Sequence, residues 1–217
     1  MTTIALILAG GNGSRFGAAR PKQFVEIKGR SILHRTLDAF RGRVDAIWVV
    51  CQNEWKDYVG NEHTTEAGAT GFESLCHGVA ALADYSDETV VMVHDAVRPL
   101  VTTEIIEQNL EVARRCGNAI TSVEIYETLL AAPAGDGVVR SMSRREGMFR
   151  AQTPQTFTLG SLRKMISEAK RLCINDAQSA CVLAQQLGYE LHLSPGDFRN
   201  FKITTPSDLA LYEALIP

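Results

Sequence analysis

Apolar residues recur along this chain in two alternating rhythms. Ile4 to Ala9 is apolar at every position and runs straight into glycines, which predicts a strand buried on both faces that opens into a loop. From Ser31 the spacing changes, and Ile32, Leu33, Leu37 and Phe40 fall on one face of a helix with Ser31 as its cap. Ala46 to Cys51 and Thr89 to His94 again read as strands with apolar residues on both faces, and between them Leu75, Val79 and Leu82 mark a helix over Phe72 to Leu82. Thr102 or Thr103 caps a helix reaching about Cys116, and Ala119 to Val123 is a further strand. Helices follow over Leu159 to Leu172 and Ala177 to Leu187, with Asn175-Asp176 as cap candidate for the second. Thr205, Pro206 and Asp208 supply cap, first-turn proline and acid for a final helix through Leu209 to Leu215.

Two-sided strands alternating with helices predict an α/β chain, a three-layer Rossmann-like sandwich around a mostly parallel sheet. Two segments depart from that rhythm. Leu129 to Ala132 and Val138 to Met142 flank Pro133-Ala-Gly-Asp-Gly137, which predicts a hairpin projecting as a β-arm at about residues 126–150. Gln152-Thr-Pro-Gln155 carries a proline that predicts a turn at the sheet rim, and Lys202 between Phe201 and Ile203 reads as part of a short strand. No linker, repeat or low-complexity segment interrupts residues 1–217, so one domain is expected.

Composition narrows the function. A chain of 217 residues buries a substantial core without staples. With 22 basic against 25 acidic residues and a net charge of −3, it has no broad positive field, which argues against nucleic acid as a partner. Phosphate binding must then be local. The first nine residues lack a basic leader and are too short an apolar run for a membrane span, which argues against secretion or insertion. Five cysteines without a Cys-x-x-Cys pair read as buried thiols of a reducing cytoplasm.

The chemistry concentrates behind the first strand. Gly10, Gly11, Gly13 and Gly17 let backbone approach a ligand, and Arg15 and Lys22 bring two cations to the same loop, the outline of a phosphate site. The spacing misses the dinucleotide fingerprint by one position, and Lys22 lacks the neighbours of a P-loop lysine. A nucleoside triphosphate fits what remains; a plain glycine-rich turn is the bland alternative. Asp95, at the carboxyl end of its strand, is expected on the same rim, where a lone carboxylate suits Mg²⁺. Its alternative is a surface ion pair with Arg98. Arg98, Arg144, Arg145 and Arg150 are candidates for a second anion such as a monophosphate acceptor, against a solvated patch. Lys202 is a third phosphate cation if its face is the cleft, and Asp176 is either a cap or a substrate contact. His34, His63, His77 and His192 have no ligand-like spacing.

Taken together, Leu8-Ala-Gly-Gly-Asn-Gly-Ser-Arg15, Pro21-Lys22-Gln23, Val93-His-Asp-Ala-Val-Arg-Pro99, Ala151-Gln-Thr-Pro-Gln-Thr-Phe157 and Lys202-Ile-Thr-Thr-Pro-Ser-Asp-Leu209 resemble the methylerythritol-phosphate cytidylyltransferases and their ribitol-5-phosphate relatives over nearly the whole chain. The resemblance implies transfer of CMP from CTP to a polyol phosphate with release of pyrophosphate. It makes Arg15 and Lys22 stabilisers of the pentavalent α-phosphate, with Lys202 nearby and Asp95 holding Mg²⁺. Ser74 and backbone groups of Ala9, Gly10 and Gly11 would meet the cytidine. Thr128 and Arg145, on an arm reaching into a second subunit, and Arg98 would serve the acceptor, which implies a homodimer. Gly71 stands where the family commonly has arginine, and Asn175 and Ala177 depart from the methylerythritol-phosphate pattern. With Tyr126-Glu-Thr128 they lean towards ribitol 5-phosphate or a related polyol phosphate, methylerythritol 4-phosphate being the alternative and a silent nucleotide-binding protein a remoter one. A nicotinamide oxidoreductase would need a third glycine in register and an acid where Cys51-Gln-Asn53 stands.

Overall fold

The computed structural model describes residues 1–11 and 20–216. Its first strand, β1 (Thr3–Leu8), is buried along nearly its full length and shows why no polar alternation marks it in the sequence. Ile4 and Leu6 enter one apolar cluster while Ala5 and Ile7 enter another on the opposite side of the sheet. After a 3₁₀ turn at Lys22–Phe24, a small ribbon of β2 (Glu26–Ile27) and β3 (Arg30–Ser31) leads into α1 (Ile32–Phe40), whose cap Ser31 accepts from the His34 amide. The chain continues through β4 (Ala46–Cys51), the short α2 (Lys56–Val59), β5 (His63–Glu66), α3 (Gly71–Ala81), β6 (Val90–Asp95), α4 (Thr103–Cys116) and β7 (Asn118–Glu124). An arm of β8 (Leu129–Ala131) and β9 (Ser141–Ser143) follows, and then β10 (Phe149–Thr158), α5 (Leu159–Arg171), α6 (Ala180–Gln186), β11 (Leu193–Pro195) and α7 (Pro206–Leu215).

The seven-stranded sheet has the order β11-β7-β10-β6-β1-β4-β5. Its pairs are parallel except the two made by β10, which runs antiparallel between β6 and β7. Leu33, Leu37, Phe40, Ile105 and Ile106 of α1 and α4 cover one face, and Leu75, Val79, Leu162, Met165 and Leu183 of α3, α5 and α6 cover the other. That is the three-layer, mostly parallel α/β sandwich expected from the alternation. A third cluster of Ile27, Ile32, Val97, Ile203 and Tyr212 seats α7 beside the end of β6. Thr205 caps α7 in the reciprocal arrangement with Asp208 that its sequence predicts.

Four expectations are corrected. Of the five cysteines expected to be buried only Cys51, in the two-sided strand β4, is; Cys76, Cys116 and Cys181 lie on helices with one side to solvent and are half-buried, and Cys173, just past α5, is exposed. Gln152-Thr-Pro-Gln155 is not a rim turn but the middle of β10, with Gln152, Thr153, Gln155 and Thr156 all buried. A polar run holding a proline argues against a central strand, yet the ladder to β7 shifts register between Ala151 and Gln155, so Pro154 sits where the regular pairing is interrupted. Partners distant in sequence satisfy the polar side chains: Thr156 donates to the Asn109 carbonyl oxygen, and the Asn109 amide donates to the Pro154 carbonyl at 3.1 Å. The helix expected from Ala177 starts at Ala180, because Ser179 rather than Asn175 or Asp176 accepts from the Val182 amide. Lys202 lies in irregular chain, not in a strand. The arm matches its expectation as a hairpin, with its second strand at 141–143 and Leu130, Val138, Val139 and Met142 all exposed.

Candidate active site

The carboxyl ends of β1 and β6 are adjacent in the sheet, Leu8 being paired with Asp95, and a cleft of about 370 Å³ opens above them. Ala9, Gly10, Gly11, Lys22, Ser74, Asp95 and Lys202 all line it, so the expected nucleotide residues that the structure describes converge on one space. Gly13 and Arg15 lie outside the described residues. Gln23, Gln52, Gln178 and Ser179 also line the cleft. Only Gln23 had a sequence signal, its place beside Lys22 in Pro21-Lys22-Gln23.

Each wall has a local cause. At Gly10 a β-carbon would come within 2.4 Å of the Ala67 β-carbon and 3.2 Å of Ser74 Oγ, so only glycine permits this approach of β1 to the 67–74 segment. Ser74, in the first turn of α3, accepts from the Gly68 amide at 3.1 Å and keeps that segment folded against Gly10. On the other side, Phe24 is fully buried and stacked on Trp55 at 4.3 Å between ring centroids, which anchors the turn carrying Lys22. Gly71 opens α3 on the cleft wall, and a β-carbon there would face the Gln178 carbonyl at 3.9 Å.

Asp95 is the electrostatic centre. Its two oxygens are 3.0 Å from Lys202 Nζ and 3.0 Å from Arg98 Nε. Burial pushes the carboxyl up, but Lys202 and Arg98 outweigh it and bring the pKa down to about 2, leaving a firmly ionised carboxylate on the cleft wall. Arg98 also donates to the Asn200 carbonyl at 2.8 Å, and the Ile203 amide donates to the Val97 carbonyl at 2.9 Å. These bonds lay the 200–204 segment alongside the end of β6 and deliver Lys202 to Asp95 without a strand.

Behind Asp95, His94 is fully buried. Thr153 Oγ1 accepts from the Asp95 amide at 3.1 Å and lies 2.9 Å from His94 Nδ1. His94 Nε2 lies 3.3 Å from the Arg98 carbonyl, which can only accept, so in the neutral ring Nε2 carries the proton and Nδ1 accepts from the Thr153 hydroxyl. Burial above all, against a smaller opposing pull from Asp95, lowers the His94 pKa from 6.5 to about 3. The folded pKa is thus below the unfolded one. Unfolded chains take up this proton as pH falls through 6.5 while folded ones refuse it until about 3, so stability is lost across that window. Asp95 contributes in the same direction lower down, between its ordinary 3.8 and about 2. Urea unfolding between pH 6.5 and 4.5 should show a stability slope that His94→Gln reduces by about 1.4 kcal/mol per pH unit. An unchanged slope in that variant contradicts the buried neutral imidazole.

The acceptor candidates are not gathered in the cleft. Arg98 braces Asp95 from behind and is only 11% exposed. Thr128 and Arg145 lie exposed on the arm, where Arg145 donates to the Tyr126 carbonyl at 3.3 Å. Asp176 is exposed, next to Ala177 on the cleft wall.

A glycine segment, two lysines and one ionised carboxylate at the carboxyl ends of β1 and β6 define a phosphate-handling enzyme of the Rossmann-like class. The chain belongs to the 2-C-methyl-D-erythritol 4-phosphate cytidylyltransferase (IspD) family, whose family model matches residues 3–217. It is 34% identical to a ribitol-5-phosphate cytidylyltransferase of Vibrio parahaemolyticus, over 98% of this chain and 95% of that protein. It is 33% identical to a 2-C-methyl-D-erythritol 4-phosphate cytidylyltransferase of Geotalea uraniireducens, over 100% of this chain and 97% of that one. Among solved structures, the 2-C-methyl-D-erythritol 4-phosphate cytidylyltransferase of Thermus thermophilus superposes with a TM-score of 0.80 at 32% identity, covering 99% of this chain and 98% of that one. Among the described residues no helix is long and apolar enough to cross a membrane.

Proposed function

We propose that this enzyme, acting as one nucleotidyltransferase domain over residues 1–217, transfers CMP from CTP to a polyol phosphate, ribitol 5-phosphate first among the acceptors. The observation that carries the reading is the meeting of Lys22, Lys202 and Asp95 with the Ala9–Gly11 backbone in one cleft. Ser74 and the Ala9–Gly11 backbone hold the cytidine end, and the two lysines face the triphosphate. An acceptor phosphate oxygen is already an anion and needs no general base. It attacks the α-phosphorus in line, forming one P–O bond as the bond to the β-phosphate breaks and pyrophosphate leaves. Lys22 and Lys202, joined by Arg15, offset the charge that accumulates on the α-phosphate oxygens.

Mg²⁺ suits this site on its donor chemistry. Asp95 stays ionised at any physiological pH and faces the cleft, but among the described residues no group of three or more His, Cys, Asp or Glu side chains could hold a metal alone. A site of one carboxylate, completed by substrate phosphates and water, is what Mg²⁺ commonly accepts. When bound it would supply charge neutralisation across the phosphates.

For the acceptor, Ala177 on the cleft wall with Asn175 two residues before it, and Tyr126-Glu-Thr128 at the root of the arm, favour the ribitol-type substrate. The exposed apolar arm supports a homodimer in which Thr128 and Arg145 of one subunit reach the acceptor of the other, with Arg98 and Asp176 on its near side. The reaction draws on cytoplasmic CTP. Pyrophosphate release with CTP and Mg²⁺, run side by side on ribitol 5-phosphate and methylerythritol 4-phosphate, tests the assignment. A higher kcat/KM for ribitol 5-phosphate is expected. The reverse preference transfers the enzyme to isoprenoid synthesis, and no release on either refutes the reading.

A further inference from the structure

Gln23 carries an uncharged polar side chain that is only 3% exposed, and a buried amide is costly unless its protons find acceptors. Both do. Nε2 donates to the Ala9 carbonyl at 2.6 Å and to the Gly11 carbonyl at 3.0 Å, partners 14 and 12 residues earlier in the chain. One amide therefore ties the point where the chain leaves β1 to the turn where it returns. From the other side, Gln52 Nε2 stands 3.5 Å from the Gly10 carbonyl, at the outer limit of hydrogen bonding.

Three successive carbonyls, of Ala9, Gly10 and Gly11, thus face side-chain amide nitrogens. Among the described residues nothing accepts from the Gly10 and Gly11 N–H groups. The backbone polarity of the segment is thereby set before any ligand arrives, with carbonyls engaged and amides left for an oxygen-rich ligand in the cleft. Lys22 is the residue next to Gln23, so the same two bonds set how far its turn stands from the glycine segment.

We propose that Gln23 is a positioning residue that pre-organises the glycine segment and Lys22 for the nucleotide triphosphate. The inference rests on the cytidylyltransferase reading of this cleft and adds to it how the cleft keeps its shape before CTP binds. Without the Gln23 donor, residues 9–11 and the Lys22 turn are free to separate, and ordering them is charged against CTP binding. A merely structural amide would affect stability and both substrates alike.

Gln23→Met keeps the length of the side chain and removes both donors; Gln23→Asn keeps the amide but is one methylene short of its acceptors. Titration calorimetry of CTP with Mg²⁺ on wild type and both variants, alongside thermal melting and separate KM values for CTP and the acceptor, decides the matter. The expected result is a CTP Kd raised at least tenfold in both variants, with the acceptor KM within about twofold of wild type. An unchanged CTP Kd in whichever variant folds overturns the inference, as does an equal rise in both KM values accompanied by a large fall in melting temperature. Absence of CTP binding by the wild type itself would instead refute the underlying function.

Discussion

Lys202→Met is expected to lower turnover by about 10²–10³-fold, on the order of 3–4 kcal/mol of barrier, in an enzyme that still folds. Lys202 is held by no regular element. It reaches the cleft because the Ile203 amide and the Asn200 carbonyl fasten its segment to the end of β6, and its ammonium ends 3.0 Å from Asp95. Under the proposed reaction, a cation held in advance at that wall needs no reorganisation when charge develops on the α-phosphate, so its removal should weigh on kcat rather than on folding. Asp95 also loses the first of the two cations that hold its pKa down, Arg98 remaining. Stopped-flow pyrophosphate release at saturating CTP reads the effect. Turnover within threefold of wild type in a correctly folded variant would remove Lys202 from the reaction.

The second large effect concerns Gly10, where the obstacle is steric. A methyl group there would meet the Ala67 β-carbon at 2.4 Å, and neither atom can rotate out of the way, since each is fixed to its backbone. Either the glycine segment or the strand-to-helix segment at 67–74 must move. Overpacking of this kind costs about 1–3 kcal/mol. For a chain of this size that corresponds to a melting temperature lower by about 2–12 °C. The larger consequence is displacement of the Gly10 backbone from Ser74 across the proposed nucleotide end of the cleft, and Gly10→Ala should raise the KM for CTP more than tenfold. Ala67→Gly in the same chain removes the clash and should restore most of both losses, a coupling that two independent sites would not show. If the double variant is no better than Gly10→Ala alone, the contact is not what requires glycine.

Much of this was legible in one dimension. At three helices the cap read from local spacing is the cap found, Ser31 for α1, Thr102 for α4 and Thr205 with Asp208 for α7, because a cap needs only residues within one turn of each other; at α6 the start was read three residues early and Ser179 is the cap. The meeting of the cleft residues was legible too, since strand ends of a parallel sheet share one rim, and Gly10 comes soon after β1 while Asp95 ends the adjacent β6. The reading failed at β10. Its glutamines and threonines look like a polar turn until Asn109, His94 and Asn200 are brought beside them, and those partners lie 45 to 59 residues away in the chain. What Gln23 does was hidden for a related reason, because its acceptors are backbone carbonyls and leave no trace in residue identity.

The sequence by itself determined the α/β alternation, the capped helices, the projecting arm and the family of the chain, all of which rest on periodicity or on motifs whose residues are neighbours. Tertiary structure alone decided that β10 runs antiparallel in the middle of the sheet, that the Asp95–Arg98 pair offered by their spacing is largely buried rather than on the surface, and that an irregular segment carries Lys202 to the same carboxylate. Those outcomes depend on which buried polar groups find partners across long separations. A hydrogen bond is worth making only when both ends are already held together, and that is a property of the folded chain.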